Sequence, residues 1–138
     1  MAIKKYLSQA FTIDRLLRAK RAQIAELEER RLAIGSMALT GDKVQTGFDA
    51  SKFNALSDLY LDALNDYISD ERRLLELKTE IKATIDTLSE PTHRLIMTER
   101  YINLKRWEDI AVDNDYSWQH VYRTHKAALR WFEKEESK

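Results

Sequence analysis

Cysteine is absent from this 138-residue chain, and that absence removes disulfides, thiolate zinc sites and thiol nucleophiles together. Breakers are scarce: Gly 3 and Pro 1, with every glycine between residues 35 and 47. So few turn-forming residues leave little room for tight-turned β structure. Charge of one sign is not in excess either, since Lys+Arg 23 balances Asp+Glu 23. A neutral chain does not advertise nucleic acid, but a local basic face is enough to bind it. Long apolar runs are missing: no segment approaches the ~20 residues needed to span a bilayer, and no membrane partner is expected. The opening "MAIKKYLSQAF" leads into no continuous apolar stretch, so it does not read as a signal peptide. The expected location is the cytoplasm.

What is present is helical periodicity. Ile3, Tyr6, Ala10, Ile13, Leu17, Lys20, Ile24, Leu27, Arg31 and Ile34 step by three and four, and eight of these ten are apolar. Gly35 is placed to follow the end of that helix. A second stripe runs Phe53, Leu56, Tyr60, Ala63, Tyr67, Leu74, Leu77, Ile81 and Leu88, with Asp70 and Thr84 as polar exceptions. Leu64, Ile68, Leu75 and Ile85 widen it beyond a two-stranded seam, which implies more than one neighbour. Each helix would be roughly 50 Å long. The polar stretch near 35–50 reads as a loop. The expected class is all-α: a long coiled-coil-like helical hairpin over residues 1–88, serving oligomerisation or partner contact, followed by a helix-turn-helix bundle over 89–138.

In that last segment Ser89 is the expected N-cap of a helix with Pro91 in its first turn and Leu95, Ile96 and Tyr101 on its inner side, ending near Asn103. "KRWEDIAVDN" gives a short helix, "DNDYS" a polar turn, and Ser117 the N-cap of a last helix whose inner face holds Val121, His125, Ala128, Leu129 and Phe132. Short helix, turn and longer helix form the plan of a helix-turn-helix. From Ser117 to Phe132 there are three cations (Arg123, Lys126, Arg130) and no acid, the local positive stripe that phosphate contact needs. Gln119, His120 and Arg123 are donors able to meet base edges. Lys126 and Arg130 lie further along for phosphate, and Lys105 and Arg106 precede the short helix. The candidate DNA-contacting set is therefore Lys105, Arg106, Ser117, Trp118, Gln119, His120, Tyr122, Arg123, Lys126 and Arg130. Trp118 either covers the bundle or touches a thymine methyl. His120 contacts DNA or is plain surface. His125 reads as a packed core histidine, and Trp107 and Trp131 as packing.

"LIMTERYINLKRWEDIAVDNDYSWQHVYRTHKAALRWF" resembles the fourth region of sigma factors: Arg100-Tyr101, Ile110-Ala111, Ser117, Val121 and Ala128-Leu129 match its order and spacing. With its helical N-terminal part, the chain is similar to the RinA/ArpU-like phage regulators of late transcription. The motif covers residues 89–132; over the N-terminal part the similarity is one of architecture. The turn departs from many sigma-like domains in having no glycine. The resemblance implies a sequence-specific DNA-binding phage activator of late genes, with double-stranded DNA and host RNA polymerase as partners and a homo-oligomeric state. Two alternatives belong to other classes: a small terminase-like DNA-packaging subunit, and a coiled-coil protein-binding scaffold without DNA. Enzymatic function is not expected. Asp109, Asp113 and Asp115, and likewise Glu133, Glu135 and Glu136, join no histidine at metal-ligand spacing, and no glycine-rich phosphate loop is present. No cofactor is expected.

Overall fold

The first apolar stripe becomes α1 (Ala2–Leu39) and the second α2 (Ala50–Ile85) in the computed structural model, which describes residues 2–39 and 49–136. Three shorter helices follow: α3 (Pro91–Tyr101), α4 (Trp107–Asp113) and α5 (Trp118–Glu136). The fold is all-α, with no strand among the described residues. All ten positions of the first stripe are buried or half-buried, so the three-four stepping marks the packed face.

Several boundaries differ from the sequence expectation. Gly35 does not end α1 but lies inside it, because Met37, Ala38 and Leu39 are good helix formers and one glycine costs only ~1 kcal/mol. Its missing side chain has a packing use: a Cβ there would stand 3.3 Å from Phe53 Cε2. The expected loop therefore loses residues 35–39 to helix, and its remainder over 40–48 lies outside the described residues. Asp49 opens α2, its Oδ1 accepting the Lys52 N–H at 3.1 Å. That helix stops at Ile85 rather than Leu88, although Leu88 stays buried. Ser89 does not cap α3. Glu90 takes that position in an extended conformation, without a side-chain cap bond. Pro91 is the physical reason: it is fixed for the first helical position and pushes the residue before it out of the helical region. Ile96, Met97 and Tyr101 are buried on the inner face of α3, while Leu95, expected on it, is 38% exposed and lies at its edge.

The chain divides into two compact units, residues 15–72 and residues 1–14 with 73–138. In the first, α1 and α2 run antiparallel, and the polar exceptions of the two stripes meet. Lys20 Nζ bonds Asp70, and pairs with Asp66 at 2.6 Å. Arg21 Nη2 donates to Tyr67 Oη at 2.6 Å, and the Arg31 guanidinium sits over the Tyr60 ring at 4.9 Å. Asp70 is buried, so a register slip that took Lys20 away would cost a desolvated carboxylate a charged partner. The pair sets register as well as attraction.

In the second unit the first turns of α1 and the last turns of α2 join α3, α4 and α5. Ile3, Leu7 and Ala10 from α1 are buried, as are Leu77, Ile81 and Ile85 from α2. The segment 89–138 thus shares its unit with both helix ends. Ile85, expected to widen the apolar face toward a further neighbour, is wholly inside, whereas Ile68 and Leu75, expected to do the same, are about half exposed.

Candidate nucleic-acid interface

The bundle core beneath the last helix is built from Ile96, Ile110, Ala111 and Val121, with Trp107 and Tyr116 packed against it. Ala111 keeps the crossing of α4 and α5 close. Between them Asp115 adopts φ 55, in the left-handed region. Glycine is the usual residue in this region, and aspartate is among the few side chains that visit it readily. The turn is closed by Tyr116 N–H donating to Ala111 O at 2.9 Å. Ser117 then caps α5, its Oγ accepting the His120 N–H at 3.1 Å.

Once α5 is capped and its inner face buried, its other side is fixed. Trp118, Gln119, His120, Tyr122, Arg123, Lys126 and Arg130 are all exposed. Arg123, Lys126 and Arg130 make no ion pair among the described residues. Trp118 and Tyr122 stack with ring centroids 5.4 Å apart and planes 10° from parallel, and Lys126 Nζ lies 4.9 Å from the centre of the Tyr122 ring. The spacing i, i+4, i+8 makes this a ladder along one edge of the helix. Trp118 therefore caps Tyr122 rather than sinking into the core. His120 sits edge-on to Tyr116 at 4.6 Å.

Lys105 and Arg106 lie outside α5, in the connection between α3 and α4. Lys105 bridges Glu99 at 2.6 Å and Asp113 at 2.9 Å, tying the end of α3 to the end of α4. Its hydrogen bond holds the Glu99 carboxyl below its ordinary value, and those to Glu99 and then Asp113 hold the ammonium above its own. Arg106 Nε donates to Asp109 Oδ2 at 3.2 Å. Both cations already have acidic partners, so within the candidate set the cations without one among the described residues are those on α5.

Behind the ladder, Tyr101 and His125 are buried and share a hydrogen bond of 2.7 Å. Burial pushes the Tyr101 phenol up to about 12. It also pushes His125 down to about 4, helped by the fields of Lys4 and Arg100. Trp107 packs on the His125 ring at 4.5 Å, and the Arg100 guanidinium is held between the Phe11 and Trp107 rings, at 4.3 and 4.5 Å. The core reading of His125 and the packing reading of Trp107 describe these positions. Trp131 is half-buried, edge-on to Phe132.

A pH dependence follows from His125. Its folded value lies below that of the unfolded chain, ~6.5, so the unfolded state binds the extra proton. This group's contribution is complete above pH ~6.5 and is lost as the pH falls from there toward about 4. Allowing for partial water access, we expect the parent to lose ~2 kcal/mol more than His125→Gln between pH 7 and 4.5. Urea unfolding at both pH values measures the difference; parallel losses in the two proteins would refute it.

The sequence reading missed three residues near this face: Lys4, Phe11 and Arg100. Arg100 and Trp107 are seven apart and so carried a faint signal. Lys4 and Phe11 carried none, because their approach depends on tertiary packing. No family model, curated protein or solved structure matches the chain. Among the described residues no cluster of His, Asp or Glu is placed to hold a metal, and no helix is long and apolar enough to cross a membrane.

Proposed function

We propose that the C-terminal helices bind double-stranded DNA, with α5 as the recognition helix of a sequence-specific transcriptional regulator. The observation that carries the reading is the exposed face of α5: a run without acids, whose Arg123, Lys126 and Arg130 have no ion-pair partner among the described residues. An overall neutral protein keeps such a stripe unneutralised to some purpose, and phosphate is the partner it fits. Gln119 and Arg123, in the first turns, stand where base edges would be met. The resemblance to sigma-factor region four and to RinA/ArpU-like phage proteins adds a role in late-gene activation beside host RNA polymerase.

Selection from a random duplex pool, followed by binding of Gln119→Ala and Arg123→Ala, tests the reading. Each substitution should weaken binding to the selected sequence by ~1–3 kcal/mol and relax preference at one base pair. If no sequence is enriched, or both variants bind selected and random duplex as the parent does, α5 is structural only.

We further infer that residues 15–72 mediate self-association. Leu16, Leu32, Leu59, Leu61 and Ile68 are each about half exposed there, while Leu17 is the one buried apolar side chain among the described residues of that unit. Two helices alone leave this much apolar surface in water, and a second copy would cover it. Sedimentation equilibrium at micromolar concentration should give a mass above the 16.2 kDa of one chain. A monomer throughout that range would refute the inference.

A further inference from the structure

Two hollows open side by side within the unit that holds α5. One, of about 260 Å³, is walled by the aromatic rings of Trp107, Trp118 and Tyr122. The other, of about 450 Å³, is flanked by Lys126 and Arg130. Lys4, Tyr122 and His125 border both, so the hollows adjoin. Among the described residues no carboxylate lines either one, although acids are as numerous as bases in the chain as a whole.

The lining specifies the occupant in two parts. The aromatic hollow suits a flat ring: a cavity of ~150 Å³ accommodates benzene, and this one has space for a larger ring system. Tyr122 already lies between Trp118 and Lys126, and Trp107 between His125 and Arg100, so Trp118 is the wall that offers a face for stacking, while the buried polar pair, Tyr101 and His125, is closed on itself at 2.7 Å. A ring there would be held by its faces, with little reading of its edge. The second hollow suits an anionic tail, since Lys4, Lys126 and Arg130 converge on it without a neutralising acid. The fixed Arg100 guanidinium behind Trp107 adds to the positive field.

We propose that the two hollows form a nucleotide site, the base stacked in the aromatic one and the phosphate placed among Lys4, Lys126 and Arg130. The proposal goes beyond duplex recognition, because a paired base cannot enter such a hollow; it draws on Trp118, Tyr122, Lys126 and Arg130 of the same face but does not require that the chain bind duplex. The same chemistry has two sources: a free nucleotide, or an unpaired nucleotide of a single strand.

Calorimetric titration of the full chain, without duplex DNA, tests it. The probes are adenosine monophosphate, adenosine, ribose 5-phosphate and a short deoxyadenosine single strand. Adenosine monophosphate should bind saturably, with adenosine and ribose 5-phosphate each at least about tenfold weaker. Trp118→Ala should weaken the nucleotide and adenosine together, since Trp118 is an exposed ring that the core does not need. Lys4→Gln should weaken the nucleotide but leave adenosine unchanged, a split that general damage would not produce. Binding of the strand but not of the free nucleotide assigns the site to unpaired nucleic acid and keeps the stacking-plus-phosphate chemistry. Equal affinity for nucleotide and adenosine, indifference to Trp118→Ala, or no saturable binding of nucleotide and strand overturns the proposal. Loss of duplex binding with nucleotide binding intact would bear on the DNA reading alone.

Discussion

Val121→Asp should abolish cooperative folding of the unit that contains α5. Val121 is 1% exposed and lies among Ile96, Ile110 and Ala111, with Trp107 and Tyr116 closing the cluster. A carboxylate there has no cation in the cluster to pair with. Even if it protonates, a polar group remains in an apolar site at a penalty of several kcal/mol. Small domains hold only ~5–15 kcal/mol in total, so a loss of this size removes most of the margin. Val121→Ala, which only leaves a cavity, should cost ~1–3 kcal/mol and still melt cooperatively. Circular dichroism with thermal melting distinguishes the two. A Val121→Asp protein melting with the parent would mean that α5 does not rest on this core.

Replacing Arg123, Lys126 and Arg130 together by alanine should produce the largest functional change. All three are exposed, so helix content and melting should stay near those of the parent. Lys126 and Arg130 are the phosphate contacts, and each one lost takes ~0.9 from the slope of log affinity against log salt, so the triple variant should lose nearly two units of slope, with Arg123 adding a loss of preference at one base pair. Near physiological salt the phosphate part amounts to ~30-fold weaker binding to every duplex, selected or random. Titrations at two or more salt concentrations read both quantities. An unchanged slope would place the phosphates elsewhere on the protein. Lys105 and Arg106 make a useful contrast, since their pairing with Glu99, Asp113 and Asp109 predicts smaller effects on the slope.

The helices were legible because periodicity and burial are the same physics. The positions stepping by three and four from Ile3 to Ile34 are those that avoid water, and Ser117 sits where its hydroxyl reaches the His120 amide. Less legible were features fixed by competition between neighbours. Pro91 displaced the expected cap from Ser89 to Glu90, and helix formers beyond Gly35 carry α1 past it, where the missing Cβ leaves room for Phe53. The exposed set on α5 could be read from the helical wheel. The partners of Lys105 could not, because Glu99 and Asp113 reach it across a chain reversal. Nor could the meeting of Lys20 with Asp70, although both had stood out as polar positions on apolar stripes. Their register became visible only when the two helices were paired.

The ladder of Trp118, Tyr122 and Lys126 has an entropic consequence. Long and aromatic side chains on a helix surface ordinarily sample several rotamers, and fixing each on docking costs ~0.5–1.5 kcal/mol. Here Tyr122 is held between a ring on one side and an ammonium on the other, so much of that freedom is already spent in the unbound protein. A ligand meeting this edge would find a surface set in advance, and its affinity would owe as much to disorder it need not remove as to contacts it makes.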